Sequence, residues 1–171
     1  TKSGSNQFEG EGFYLTRPGQ PIDGEFTDDG PAPTQRDLSG NSVKSGFQRH
    51  QGGFALGGPI VEDQTFFFVN LEHTTDWKDN ALTTPGLDST TIDGQNQFTY
   101  VTGRVDHHWS DDWRSTVRVN ANRVRIDRQG GGLTGGVTFA SAANTQRRDG
   151  VHAAVQTTYA GDQLVYEGNV Q

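Results

Sequence analysis

His107 and His108 stand side by side, Glu9 and Glu11 lie two apart, and so do Arg104 and Asp106. A histidine pair invites a metal ion. Neighbours on an extended strand point to opposite faces, however, so the two imidazoles cannot readily share one ion, and nothing supplies the remaining ligands. His50, His73 and His152 are scattered and read as ordinary polar positions. Glu9 and Glu11 could pair as general acid and base, yet residues two apart on a strand simply share a face, and no pocket can be read around them. The expectation is a protein that is not an enzyme, with no catalytic residues, no metal and no cofactor.

Arg114, Arg118, Arg123, Arg125 and Arg128 make the one basic strip. It could pass anionic solutes, but a solvated wall explains it more simply. The runs Gly130–Gly132 and Gly135–Gly136 lack the Gly-Lys-Ser/Thr ending of a phosphate loop and the strand-to-helix setting of a dinucleotide site. Asp28-Asp29-Gly30 reads as a turn, without the spaced acidic ligands that calcium needs.

The elements that carry these residues are strands. In residues 51–70, QGGFALGGPIVEDQTFFFVN, two apolar-rich segments flank a short breaker-rich reversal. Phe54 and Leu56 alternate with small residues before it, and Phe67, Val69 and Leu71 alternate with Phe68, Asn70 and Glu72 after it. Alternation on both sides of a short turn predicts an antiparallel hairpin with two differently solvated faces. The unit repeats. Strands are expected over 7–16, 46–60, 65–77, 97–109, 113–121, 151–159 and 164–171, with no helix of consequence. On the fifth, Val124 and Ile126 fall out of phase with Val117 and Val119, which a bulge, or a strand leaving its apolar surroundings, would produce.

Composition narrows what such strands can build. Only 30% of the 171 residues are hydrophobic, with 23 Gly, 10% aromatics and neither Cys nor Met. So little apolar material means disorder or a fold that buries little inside itself, and the alternation argues against disorder. The net charge of −7 disfavours nucleic acid. No apolar run is long enough for a membrane-spanning helix. A start without Met and a final strand that stops in mid-course suggest a piece of something longer.

Long connections (17–45, 78–95, 128–148) alternate with tight turns at 61–64, 110–112 and 161–162. Long strands, one apolar or small face, one polar face and this loop asymmetry are the features of an outer-membrane barrel, where lipid replaces the missing core. The fold expected is an all-β, antiparallel transmembrane β-barrel segment of about seven strands, with short periplasmic turns and long extracellular loops. Its lumen-facing residues would include Glu9, Glu11, Asn70, Glu72, Arg104, Asp106, Arg114, Arg118, Asn120 and Glu167. Phe67, Trp109, Trp113 and Tyr159, near the short turns, would form an interfacial aromatic girdle.

Three stretches carry a family resemblance. TKSGSNQFEGEGFYLTR resembles the junction of plug and first barrel strand in TonB-dependent outer-membrane receptors. FQRHQGGFALGGPIVEDQTFFFVNLE resembles the next hairpin of their Oar-like subgroup, and FTYVTGRVDHHWSDDWRSTVRVNANR the one after it. The resemblance spans most of residues 1–126. It implies a barrel of about 22 strands with an N-terminal plug. Residues 1–6 would then be the junction and 7–171 the first part of the barrel.

The function this implies is uptake of a solute across the outer membrane of a Gram-negative bacterium. The partners would be outer-membrane lipid, the protein's own plug and remaining strands, the TonB complex acting through segments not in this chain, and an unidentified solute. Two alternatives stand beside it: a non-transporting surface or scaffold barrel, and a soluble secreted β-sandwich that binds carbohydrate.

Overall fold

The computed structural model describes residues 5–17, 35–36, 42–43, 47–82, 90–129, 140–161 and 164–170. Asp28, Asp29, the two glycine runs and most of the expected connection 17–45 lie outside them. In chain order the strands are β1 (Glu9–Arg17), β2 (Gln35–Arg36), β3 (Ser42–Val43), β4 (Phe47–Val61), β5 (Thr65–Leu82), β6 (Thr90–His108), β7 (Trp113–Gln129), β8 (Asn144–Gly161) and β9 (Leu164–Val170). A 3₁₀ turn at Ala140–Ala142 is the one helical element among the described residues.

Seven strands form one antiparallel sheet in the order β1-β4-β5-β6-β7-β8-β9, each beside its sequence neighbour in the sheet, with β2 and β3 a separate ribbon. A sandwich would stack a second sheet on the first. Here the seven strands form a single layer with β1 and β9 at its edges.

Several strands run further than alternation suggests. β5 continues to Leu82 and β6 begins at Thr90, so the connection between them is much shorter than 78–95. β7 runs on to Gln129, and β8 begins at Asn144. The sequences of these extensions, such as KDNAL and NTQRRDG, carry no apolar rhythm. Backbone pairing continues the strands there.

The phase slip on β7 is no bulge. Pairing with β8 stays regular from Trp113 to Ile126, and the irregularity falls between Ile126 and Gln129. Val124 and Ile126 simply lie on the other face, beyond the end of the apolar rows.

A true shift sits between Pro59 and Val61 in the β4–β5 hairpin. The extra residue, Ile60, sets Leu56 across from Val69 and Phe54 across from Leu71. A one-residue slip would set Leu56 across from Asn70 and mix the two faces. In the turn itself Asp63 takes a positive φ of 60°, which Asp tolerates better than most residues. Asn6 holds it there: its side-chain oxygen accepts the Asp63 N–H at 2.8 Å, and its amide donates to the Asp63 carboxylate.

Candidate functional site

The pairing register sorts the side chains into two faces. Along one row, Gly58, Phe67, Val105, Val117, Val155 and Val170 cross the sheet from β4 to β9. The next rows hold Leu56, Val69, Gly103, Val119 and Ala153, then Phe54, Leu71, Val101, Ala121 and Val151. This face is apolar, and much of it is exposed: Phe54, Leu56, Val105, Val117, Val119, Val151 and Val155 all count as exposed.

The opposite face is polar and more crowded. All of the expected wall residues fall on it: Glu9 and Glu11 on β1, Asn70 and Glu72 on β5, Arg104 and Asp106 on β6, Arg114, Arg118 and Asn120 on β7, and Glu167 on β9. Thr74, Asp76, Asn96 and Asp106 are buried on this same side. Burial of polar groups is tolerable only when they find partners; Asp76 and Asp106 do, while the Asn96 Oδ1 has none.

Arg104 clasps Asp106 through Nε and Nη2 at 2.8–3.0 Å, while the Thr116 hydroxyl donates to the same carboxylate at 2.7 Å. Two residues apart on one strand, Arg104 and Asp106 face the same way, and Thr116 stands directly across from Asp106 on β7. Thr102 donates to Asn120 at 3.1 Å, Gln51 to Glu72 at 2.8 Å and Gln156 to Glu167 at 2.7 Å. The Arg118 Nε is buried with no hydrogen-bond partner, and Arg118 lies directly across from Arg104.

Around the Arg104–Asp106 pair the sheet forms a cavity of about 360 Å³, lined by Phe66, Arg104, Asp106, His108, Arg114, Thr116, Gln156 and Thr158. It sits at the end of the sheet where the tight 110–112 turn joins β6 to β7. The arrangement offers guanidinium and amide donors together with one carboxylate already engaged by Arg104 and Thr116. It can bind polar solutes or polar protein segments by hydrogen bonding.

The histidine neighbours part as their spacing predicts. His107 lies on the apolar side, hydrogen-bonded to Thr65 at 2.8 Å and edge-on to Trp109 at 4.3 Å. His108 lies on the polar side against Phe66.

Phe67, Trp113 and Tyr159 lie on the apolar face, Tyr159 directly across from Trp113. Trp109, in the turn, stacks on Trp113 with ring centroids 5.1 Å apart. Their indole N–H groups donate back into the sheet, Trp109 to Ser115 at 3.1 Å and Trp113 to Thr157 at 2.9 Å.

The structure adds groups that alternation does not reveal. Arg49 and Asp76 form a two-point ion pair at 2.6 and 2.9 Å across β4 and β5, with Asp76 only 3% exposed. At the same end of these strands, on the apolar face, Tyr14, His50 and Trp77 form a second aromatic group, its rings 5.5–6.0 Å apart. The Tyr14 hydroxyl and the His50 Nδ1 are hydrogen-bonded. Both groups depend on cross-strand register, which the one-residue shift at Ile60 sets. Counting outward from the turn with that shift would have found them.

A family model described as an outer membrane beta barrel domain matches residues 1–90, more than half of the chain. None of the curated proteins or solved structures compared with the chain matches it. A single long-stranded antiparallel sheet, apolar and exposed on one side and polar on the other, is what that family requires of its members. The chain belongs to the outer membrane beta barrel domain family and forms part of a barrel wall in the outer membrane.

Proposed function

We propose that this barrel wall belongs to a TonB-dependent receptor, of the Oar-like kind, that moves a solute across the outer membrane of a Gram-negative bacterium. The observation that carries the proposal is the polar face. Its hydrogen-bonded rows and its cavity at Arg104, Asp106, Arg114 and Gln156 are suited to a hydrated lumen, and crowding on that side is what the concave side of a curling sheet has. The resemblance of residues 1–126 to the plug junction and first hairpins of these receptors supports the TonB-dependent form over a passive scaffold.

In this reading the tight turns with Trp109 and Trp113 lie at the periplasmic rim. The long connections meet the solute outside. The wall residues Glu9, Glu11, Glu72, Arg118 and Asn120 contact water, a plug or the passing solute. No bond is made or broken in the solute.

The test is genetic, because the solute is unidentified. In the native bacterium, the gene and the TonB complex are deleted separately, and growth is followed on a panel of sole nutrient sources. A receptor gives a defect on at least one nutrient that both deletions share. A strain without the gene that grows normally wherever the TonB-deficient strain fails would contradict the proposal.

A further inference from the structure

On the apolar face, β7 and β8 change character abruptly. The last apolar row is Ala121 across from Val151, which is 77% exposed. The next row sets Arg123 across from Asp149, and the one after it sets Arg125 directly across from Arg147. Two residues of strand span about 7 Å, so the guanidiniums begin where the apolar surface ends.

Like charges directly opposite on a sheet repel, and this pair is held in place from both sides. Asp127 accepts from Arg125 Nε at 3.1 Å. Asp149 accepts from Arg147 at 2.7 Å and lies 3.4 Å from Arg123. Three guanidiniums share two carboxylates, which leaves one excess positive charge. Each arginine side chain is more than half exposed, and each is more exposed than the aspartate it pairs with.

We propose that Arg123, Arg125 and Arg147 form a docking site for the phosphate of an anionic lipid, at the bilayer surface on the side of the β7–β8 connection. The site rests on the apolar face being turned to lipid. The guanidinium fork fits phosphate oxygens in pairs, and the aspartates splint the arginines so that little freedom is lost on binding. Beneath the patch, Val119, Ala121, Val151 and Ala153 offer the acyl chain an apolar surface, which a free phosphate would not use. That continuity selects lipid as the occupant.

The full-length protein is purified in mild detergent and titrated with phosphatidylglycerol or phosphatidylcholine, and bound lipid is counted by native mass spectrometry. Phosphatidylglycerol is expected to be retained in preference to phosphatidylcholine. The triple variant R123Q/R125Q/R147Q should weaken its retention about fivefold or more, since one net basic charge near an anionic surface is worth ~1 kcal/mol. The charge-preserving variant R123K/R125K/R147K should keep part of the preference, losing the paired contacts of the guanidinium fork but not the charge, and shows that the surface tolerates substitution.

Unchanged retention in the glutamine variant would overturn the proposal, and so would displacement of phosphatidylglycerol by inorganic phosphate at equal concentration. A fluorescent label on V119C, exposed to brominated lipid, separates the two ways of failing. An unquenched label overturns the lipid-facing assignment on which the site rests. A quenched label with unchanged retention overturns the arginine site alone.

Discussion

Asp106 is less exposed than Val105, its neighbour in the chain: 8% against 39%. In a soluble protein the order is the reverse, because water takes the carboxylate and the core takes the valine. The inversion extends over the sheet. Asp76, Thr74 and Asn96 are buried on the face of Asp106, while Val117, Val119 and Val155 are exposed on the face of Val105. A sheet of this kind is at ease only where its apolar side meets hydrocarbon and its polar side is enclosed and wet, as a wall of an outer-membrane barrel is. The soluble β-sandwich loses its footing on the same observation and on the single layer of strands.

The Arg104–Asp106–Thr116 cluster is expected to contribute to stability as well as to wall chemistry. The Asp106→Ala substitution removes the acceptor of both Arg104 and Thr116 and leaves a half-buried guanidinium without its carboxylate. A loss of about 1–3 kcal/mol is expected. Asp106→Asn, which keeps an acceptor for Thr116, should lose less. Thermal loss of the folded band in semi-native electrophoresis of the full-length protein measures both.

Gly53 on the polar face and Gly103 on the apolar face differ in what surrounds them. A Cβ on Gly53 would meet the Leu71 carbonyl oxygen at 2.6 Å and the Phe13 ring at 2.9 Å, whereas one on Gly103 would meet nothing within 4 Å. Phe13 of β1 lies over the Gly53 backbone, on the polar side. Gly53→Ala should therefore cost about 1–3 kcal/mol through displacement of that ring or of β5. Gly103→Ala should change stability by less than about 0.5 kcal/mol. The same electrophoretic assay distinguishes them, and equal effects would contradict the packing described.

Ile60 is the extra residue of the first hairpin. Its deletion joins Pro59 to Val61, so that Pro59 still faces Phe66, Val61 still faces Thr65 and Leu56 stays opposite Val69. The apolar rows are kept. The deletion variant and Ile60→Ala are therefore both expected to yield heat-modifiable folded protein, and its loss on deletion of Ile60 would contradict the register described. Urea-resistant folded fractions of the two variants give the comparison.

Much of this fold is legible in the residues because a wall with one lipid side and one wet side writes its period directly into the chain. Val117, Val119 and Ala121 against Arg118 and Asn120 give the strand, its faces and the sides on which Arg118 and Asn120 fall. The strand extensions 78–82, 90–96 and 144–150 are not legible, since beyond the apolar rows the sequence loses its period. Nor are partners across strands. Arg49 with Asp76, and Tyr14 with His50 and Trp77, meet only after the turn and its extra residue fix the register, and no local pattern at those positions records it. The cavity shares that limit. Gln156 and Thr158 reach it from β8 because Gln156 pairs with Thr116 and Thr158 with Arg114, a correspondence that only the β7–β8 register supplies.

The measurement that tests the central claim most directly uses two adjacent residues. These 171 residues contain no cysteine; single cysteines at Val119 and Asn120, in full-length protein freed of any other cysteine, can each carry a bimane label in bilayers that contain brominated lipid. Val119 lies on the apolar face and Asn120 on the polar one. Strong quenching at 119 with little at 120 is the predicted result. Equal quenching at both positions, or quenching at 120 alone, would contradict a wall with one side to lipid and one to the lumen.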